Sequence, residues 1–389
     1  MSHTRTVKLI TWFNSAITFV PMGPVVVLFF AHVSGSYALA GSVYTVLLIS
    51  SSLFELPTGI LSDLWGRQRV LVAGTVAALL GAISYATGLG YASLLIGATL
   101  MGLCQALYSG NNDALLYEVM EQSGEKESYG HVYGKMNSWV QISMGVSAVL
   151  GGFLLQYSFT LLAWLSVLPF LVGLIISVFI PNTRTHGVTV ENPFAHLREA
   201  TRLFITNKRL RLFSLFSIIS GGLGESSYSF LPAFYATVIP SWLLGIVNAF
   251  NKLIVYFSFV FGDRIVKKLG EARTLFVDFW VDRVVNILAF AFPSVVSPIL
   301  VVLSGALFGP YQVAEAKIFQ EEFSSEHRAT MGSLNSLLGS VFYGIMAIVI
   351  GLLADRFSAA HALLLFQILI IPTVFLLRGS FKHSKKAIF

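Results

Sequence analysis

Charge is what this chain has least of. Of 389 residues only 11% are Asp, Glu, Lys or Arg, while 55% are hydrophobic. An ordinary soluble domain carries about 25% charge, so most of this surface is expected to face lipid. Cysteine is nearly absent. Cys104, inside an apolar run, is the single one, which excludes an intramolecular disulfide framework and a cysteine-based metal site. A cleavable leader pattern is missing too: Met1–Lys8 is short and polar, and the apolar run behind it is long enough to remain as a membrane helix. No nucleophile cluster or metal-ligand set stands out. GHVYGKM at 130–136 has one residue too few between its glycines for a phosphate loop, carries Met136 where Ser or Thr belongs, and follows no strand. The composition therefore argues against an enzyme, and neither a cofactor nor a metal is expected.

Long apolar runs are what the chain has in abundance. Roughly 20 apolar residues cross a bilayer core of about 30 Å. Twelve such stretches lie near 9–32, 38–62, 70–90, 93–119, 135–157, 159–180, 210–236, 240–262, 273–293, 297–320, 331–354 and 358–378. The net charge is +6 and the pI about 9.3, values that could suit nucleic acid, but the charges sit elsewhere. Arg5, Lys8, Arg67, Arg69, Lys126, Lys135, the basic residues from Arg184 to Arg211 and from Arg264 to Arg273, Arg328 and the tail from Arg378 to Lys386 fall on one face of an even-numbered topology. Arg356 alone falls on the other. The positive-inside rule then places both termini in the cytoplasm of a multi-pass cell (inner) membrane protein. Nucleic acid is not an expected partner; lipid is.

The longest connector divides the spans six and six. The expected organisation is a bundle over 1–180, a cytoplasmic linker over 181–209, and a second bundle with a basic tail over 210–389. Asn192 and Pro193 read as a helix start, and Phe194, Leu197, Thr201 and Phe204 share one face of an in-plane amphipathic helix; a solvated linker is the alternative. A weak internal repeat accompanies the division. Residues 102–121 overlay 305–323, with Gly102 on Gly305, Tyr108 on Tyr311, Asn112 on Glu315 and Glu118 on Glu321, and GKMNS (134–138) overlays GSLNS (332–336). Repeated halves with a site between them are a common transporter plan.

The loop after the second stretch reads GILSDLWGRQRVL, residues 59–71. It resembles the signature of the major facilitator superfamily, matching at Gly59, Leu61, Asp63, Gly66, Arg67 and Leu71; Leu64 and Gln68 depart from it, and Arg69 offers a charge one residue late. The resemblance implies an all-α membrane protein of twelve helices in two pseudo-symmetric six-helix bundles. It also implies a cytoplasmic latch of Gly59, Asp63, Gly66, Arg67, Arg69 and Glu118, with Asp63 facing the start of the eleventh span near Thr330. The alternative is that these arginines only obey the positive-inside rule. The corresponding second-half loop, GDRIVKKLGEAR, keeps Gly262 and Gly270 without the Asp-to-Gly spacing, so the latch is expected on one half only. Two further family patterns fail: Ala98 stands where an arginine is expected, and of a Gly-Pro-x-x-Gly-Gly motif only Gly151 and Gly152 remain.

Ionisable residues at membrane depth are costly and mark cavities or pairs. Six acids lie there, Glu55, Asp113, Glu225, Asp278, Asp282 and Glu315, with three bases, Lys252, Arg283 and Lys317; none of the eight histidines does. Because the resemblance places spans 1, 4, 7 and 10 around the cavity, Asn14, Tyr108, Asn112, Tyr311 and Gln312 become expected lining residues, joined by Asn137, Gln141, Asn248, Asn251 and Lys252. An apolar surround favours the neutral carboxylic acid, which lets a carboxyl carry protons. Asp113, Glu225, Glu315 and Glu55 are the coupling candidates, with Asp113 or Glu225 leading. A neutralised pair such as Glu315 with Lys252 is the alternative. Glu55, one turn before Gly59, is expected to meet Asn14 or span 11. Asp278 and Asp282 share a face of a peripheral span and are expected to pair structurally with Lys252 or with Arg283 of another helix. Lys317 is expected to snorkel. The function implied is a secondary transporter, a monomer that exports a small molecule against protons. Proton-coupled uptake is the alternative, and a non-transporting receptor or scaffold a more remote one.

Overall fold

The computed structural model describes residues 3–109, 111–125, 128–182, 207–322 and 328–382. Among them every regular element is a helix. The expected in-plane helix of the linker lies outside the described residues. The chain divides into two compact units, Met1–Thr189 with Pro240–Ala249, and Val190–Ile239 with Phe250–Phe389.

The first unit contains α1 (His3–Thr18), α2 (Val26–Ser34), α3 (Tyr37–Trp65), α4 (Arg67–Thr87), α5 (Tyr91–Tyr108), α6 (Asn111–Gln122), α7 (Tyr129–Leu155), α8 (Phe159–Leu165) and α9 (Leu168–Phe179). Downstream lie α10 (Lys208–Val238), α11 (Ser241–Leu269), α12 (Glu271–Ala291), α13 (Ser297–Ser304), α14 (Phe308–Glu322), α15 (Arg328–Arg356), α16 (Ala359–Ile370) and α17 (Thr373–Lys382). Local chemistry sets several ends. Ser36 and Ser158 cap α3 and α8 by accepting from backbone N–H groups two and three residues on. Gly66, at φ 88°, makes the turn from α3 to α4 that a side chain would strain.

Among the described residues, ten segments are long and apolar enough to cross a membrane. Two further helices, α10 and α12, have the length, at 31 and 21 residues, but hold Glu225, Asp278, Asp282 and Arg283 among their apolar residues. Several expected continuous spans are interrupted. A 3-10 turn at Gly23–Val25 separates α1 from α2, and another at Gly305–Leu307 separates α13 from α14. α5 and α6 part at Ser109, α8 and α9 before Pro169, and α16 and α17 around Pro372. Proline accounts for three of these breaks, at Pro24, Pro169 and Pro372, because it lacks the N–H of a continuing helix.

Between helices in lipid, association depends on close van der Waals packing and therefore on small residues. Gly102 of α5 is one such contact: a Cβ there would stand 2.5 Å from the Leu47 carbonyl and 2.6 Å from Ser50 Cβ of α3. In the second unit the same role falls to Gly309, pressed on the Ser258 backbone, whereas Gly305 meets only side chains at 3.7 Å or more. The repeat is thus offset by four residues from the sequence overlay, a slip of one helical turn that preserves the face. Gly151 and Gly152 also lie on backbone, against the Pro21 carbonyl and against Trp242 and Gly245. Cores fill in around these contacts. Ile10, Phe13, Leu71, Leu115, Leu116 and Met120 form one cluster, and Phe213, Phe216, Phe230 and Phe234 are buried along α10. Cys104 is buried in α5, 6% exposed.

Candidate functional site

At the junction of α3, α4 and α6, Arg67, Ser62 and Asn111 close a hydrogen-bonded ring that Glu118 joins through Arg67. Arg67 Nε donates to Glu118 Oε1 at 3.1 Å, and its Nη1 donates to Ser62 Oγ at 2.9 Å. Ser62 donates in turn to Asn111 Oδ1 at 2.8 Å, and Asn111 Nδ2 returns to the Arg67 carbonyl at 3.0 Å. Ser62 and Asn111 are 4% and 2% exposed, so the groups that brace the guanidinium away from Glu118 have no solvent to fall back on. Arg69 is exposed, Gly59 lies within α3, and the Asp63 side chain lies outside the described set.

The second unit has ion pairs of its own, joining α11 to α14 where the first unit joins α4 to α6. Lys317 of α14 donates to Asp263 Oδ1 of α11 at 3.0 Å, and Lys267 meets Oδ2 at 2.5 Å. Polarity is reversed relative to the first unit: here the acid comes from the earlier helix. Lys317 therefore pairs rather than simply snorkelling.

Asn14, Asn112 and Met136 come together inside the first unit. Asn112 Nδ2 donates to Asn14 Oδ1 at 3.3 Å, and Asn14 Nδ2 reaches the Ile10 carbonyl at 2.9 Å and Met136 Sδ at 3.6 Å. Asn112 Oδ1 is buried and meets no donor among the described residues. Tyr108 is not free to line a cavity: its hydroxyl shares a 2.7 Å hydrogen bond with Thr75, its ring packs on Phe13, and Gly74 makes room for it. Glu55 does not reach Asn14. It accepts from Ser109 at 3.5 Å, at the break between α5 and α6. Asp113 and Gln141 are exposed; Asn137 bonds the Tyr133 carbonyl at 3.1 Å, and Asn248 is half-buried.

In the second unit α10 and α11 build a polar face. Glu225 and Tyr228 are exposed on α10. Lys252 Nζ donates to the Tyr228 hydroxyl at 3.3 Å and stands 5.7 Å from its ring centroid; the same hydroxyl donates to Asn251 Oδ1 at 3.5 Å. Lys252 also acts electrostatically on Glu225, and Glu225 on Tyr343, which shares a hydrogen bond of 2.5 Å with Ser229. The anticipated Glu315–Lys252 pair is therefore not made. Glu315 is held instead by Ser217, which donates to Oε1 at 2.6 Å, and by Tyr311 at 3.4 Å; Gln312 is half-buried beside them in sequence.

A third arrangement corrects the pairing expected for the acids of α12. Asp282 pairs with Arg283 of its own helix, not with Lys252 and not with a base from another helix. Asp282 Oδ1 also accepts from Asn286 Nδ2 at 2.7 Å and Ser304 Oγ at 2.8 Å. Asp278, one turn earlier, acts electrostatically on Arg283, Glu315 and Tyr311. Two polar atoms here have no partner among the described residues, Arg283 Nε and Asn286 Oδ1, on residues 8% and 6% exposed.

Residues that sequence reasoning passed over turn out to hold these networks: Ser62, Asn111, Ser217, Tyr228, Ser229, Asp263 and Tyr343. An uncharged polar residue inside an apolar run was the available signal for most of them.

The family model described as Major Facilitator Superfamily matches residues 9–342. A curated relative from Planococcus maritimus, a "Na(+), Li(+), K(+)/H(+) antiporter", is 28% identical over 182 residues, 46% of this chain and 42% of its own length. The match thus spans less than half of that relative. Among solved structures, the nucleoside transporter NupG superposes with a TM-score of 0.82 at 15% identity, covering 99% of this chain and 100% of its own. A bacterial homologue of the human lysosomal transporter Spinster gives 0.74 at 14%, covering 97% of each. A D-xylose–proton symporter gives 0.75 at 12%, covering 96% and 97%. At these identities the structures speak for the fold. With its signature loop, its membrane-length helices and a family match over most of its length, this chain belongs to the Major Facilitator Superfamily and is a multi-pass membrane transporter rather than an enzyme.

Proposed function

We propose that the chain exports a small organic molecule across the cell membrane by alternating access, in exchange for protons, as a monomer with both termini in the cytoplasm. The observation that carries this reading is the polar face of α10 and α11. Glu225, Tyr228, Asn251 and Lys252 present a carboxylate, a phenol, an amide and an ammonium on helices long enough to cross the bilayer. Such groups need water or cargo rather than acyl chains. A face with both charges suits a cationic or zwitterionic molecule better than a simple anion. The Planococcus relative is an antiporter, which supports exchange over co-transport.

Proteoliposomes with an imposed pH gradient test the proposal. Efflux or counterflow of a cationic substrate should follow the gradient and collapse with a protonophore. Glu225→Gln and Lys252→Met should each lower transport by an order of magnitude or more in protein that still folds. Transport indifferent to the gradient removes the proton mechanism, and transport untouched by both variants removes this face as the cargo site.

A further inference from the structure

The polar face of α10 and α11 holds two opposite charges that do not cancel each other. Among the described residues Glu225 has no hydrogen-bond donor and no ion pair, and the one hydrogen-bond partner of Lys252 Nζ is the Tyr228 hydroxyl, at 3.3 Å. Glu225 and Tyr228 stand three residues apart on α10, so the helix sets them on one face with Cβ atoms about 5–6 Å apart. The Tyr228 hydroxyl donates to Asn251 Oδ1 at 3.5 Å, which leaves its lone pairs for Lys252, and the ammonium lies 5.7 Å from the ring centroid. A phenol is neutral: it orients the ammonium and leaves the positive charge standing.

Each charge therefore has capacity left over. Lys252 keeps two ammonium N–H groups, and Glu225 keeps both carboxylate oxygens. Ions at membrane depth without a counter-charge are costly, and a cargo that carries both counter-charges removes both costs at once. A simple cation would pair with Glu225 and meet the Lys252 ammonium as a like charge; a simple anion would meet Glu225 in the same way. The face also borders a break in a span. A Cβ on Gly305, in the 3-10 turn between α13 and α14, would stand 3.7 Å from Asn251 Nδ2. Interrupted helices frame cargo sites in transporters, because backbone freed from the helix needs a polar cavity at that depth.

We propose that this face selects a zwitterion, a small molecule with an ammonium and a carboxylate on separate atoms, seating the ammonium on Glu225 and the carboxylate on Lys252. This selection rests on the export reading of the same face and narrows its cargo to molecules that carry both charges. Tyr228 keeps Lys252 ready for the carboxylate by holding it with a neutral group, and Asn251 keeps the phenol turned that way.

Equilibrium binding to the purified full chain tests the selection with no transport required, so its failure and that of export are separate results. Three zwitterions, γ-aminobutyrate, 6-aminohexanoate and phenylalanine, are each compared with their amine and carboxylate halves. The halves are butylamine and butyrate, hexylamine and hexanoate, phenethylamine and 3-phenylpropionate. Melting is followed against ligand concentration at neutral pH and equal ionic strength, since a ligand that binds the folded state raises its stability. At least one zwitterion should bind tighter than both of its halves by about tenfold or more, the loss expected when one charge of the site goes unmatched. Glu225→Gln should erase the advantage over the carboxylate half, and Lys252→Met the advantage over the amine half. A purely structural role would instead weaken all three ligands of a set together, and that outcome overturns the selection. So does an advantage that both variants keep, or no response to any probe. Amines that bind as tightly as their zwitterions in every set overturn it too, and leave export of cations standing. If neither variant folds, the ranking in the parent protein decides: a zwitterion above both halves supports the selection, and none above both overturns it.

Discussion

Arg67 and Glu118 should be energetically coupled far more strongly than a surface pair, and a double-mutant cycle measures how much. Exposed ion pairs contribute roughly 0–1 kcal/mol. Here both side chains are 20% exposed and the Nε–Oε1 distance is 3.1 Å. At that separation the Coulomb attraction is about 5 kcal/mol for an effective dielectric of about 20, and most of it offsets desolvation. What remains is a charge-assisted hydrogen bond, typically about 1.5–3 kcal/mol. Ser62 and Asn111 orient the guanidinium from its other side, so less side-chain freedom is lost when the pair forms. The expected coupling between Arg67→Ala and Glu118→Ala is therefore about 1.5–3 kcal/mol, read from reversible unfolding in mixed detergent micelles. The cycle cancels any other contact either residue makes. It should also persist in high salt, because a partly buried pair is screened little. A coupling below about 0.5 kcal/mol, or one erased by salt, would show that these residues only mark membrane orientation.

Three other outcomes follow from close packing and buried polar groups. Gly102→Ala should destabilise the fold by about 1–3 kcal/mol, since its methyl must displace the α3 backbone rather than a flexible side chain; unchanged melting would refute the contact. Thr75→Val should cost about 1–3 kcal/mol by stranding the Tyr108 hydroxyl. Adding Tyr108→Phe to it should recover most of that loss and leave cargo selectivity untouched, and a changed substrate profile would return Tyr108 to the transport path. Gly152→Leu should halt the transport cycle or fail to fold, its side chain having only the backbone of Trp242 and Gly245 to enter; normal transport rates would contradict that geometry.

The membrane-helix character and the loop signature were legible because each rests on local composition. Hydrophobic length alone separates the spans, and the Gly66 turn announces itself in sequence. Side-chain direction was less accessible. Asn111, Asn112 and Asp113 are consecutive, so a helix points them about 100° apart. The first enters the Arg67 ring, the second meets Asn14, and the third is exposed. Counting acids at depth selected Asp113 and overlooked Asn111. The α12 network was hidden for a related reason. Asp282 and Arg283 are neighbours in sequence, and neighbours on a helix ordinarily diverge; here Asp282 accepts from Asn286 and Ser304, and the long Arg283 side chain reaches it there. Register between the halves needed the backbone as well, since a four-residue slip leaves the hydrophobic pattern unchanged.

The solitary thiol has a practical corollary. Because Cys104 is sealed within α5, aqueous maleimides and nitroxide reagents should pass it by, and the wild-type background is already silent for spectroscopy. New cysteines placed one per unit can then report distances during turnover without first removing the native residue, whose replacement would disturb a helix already packed at Gly102.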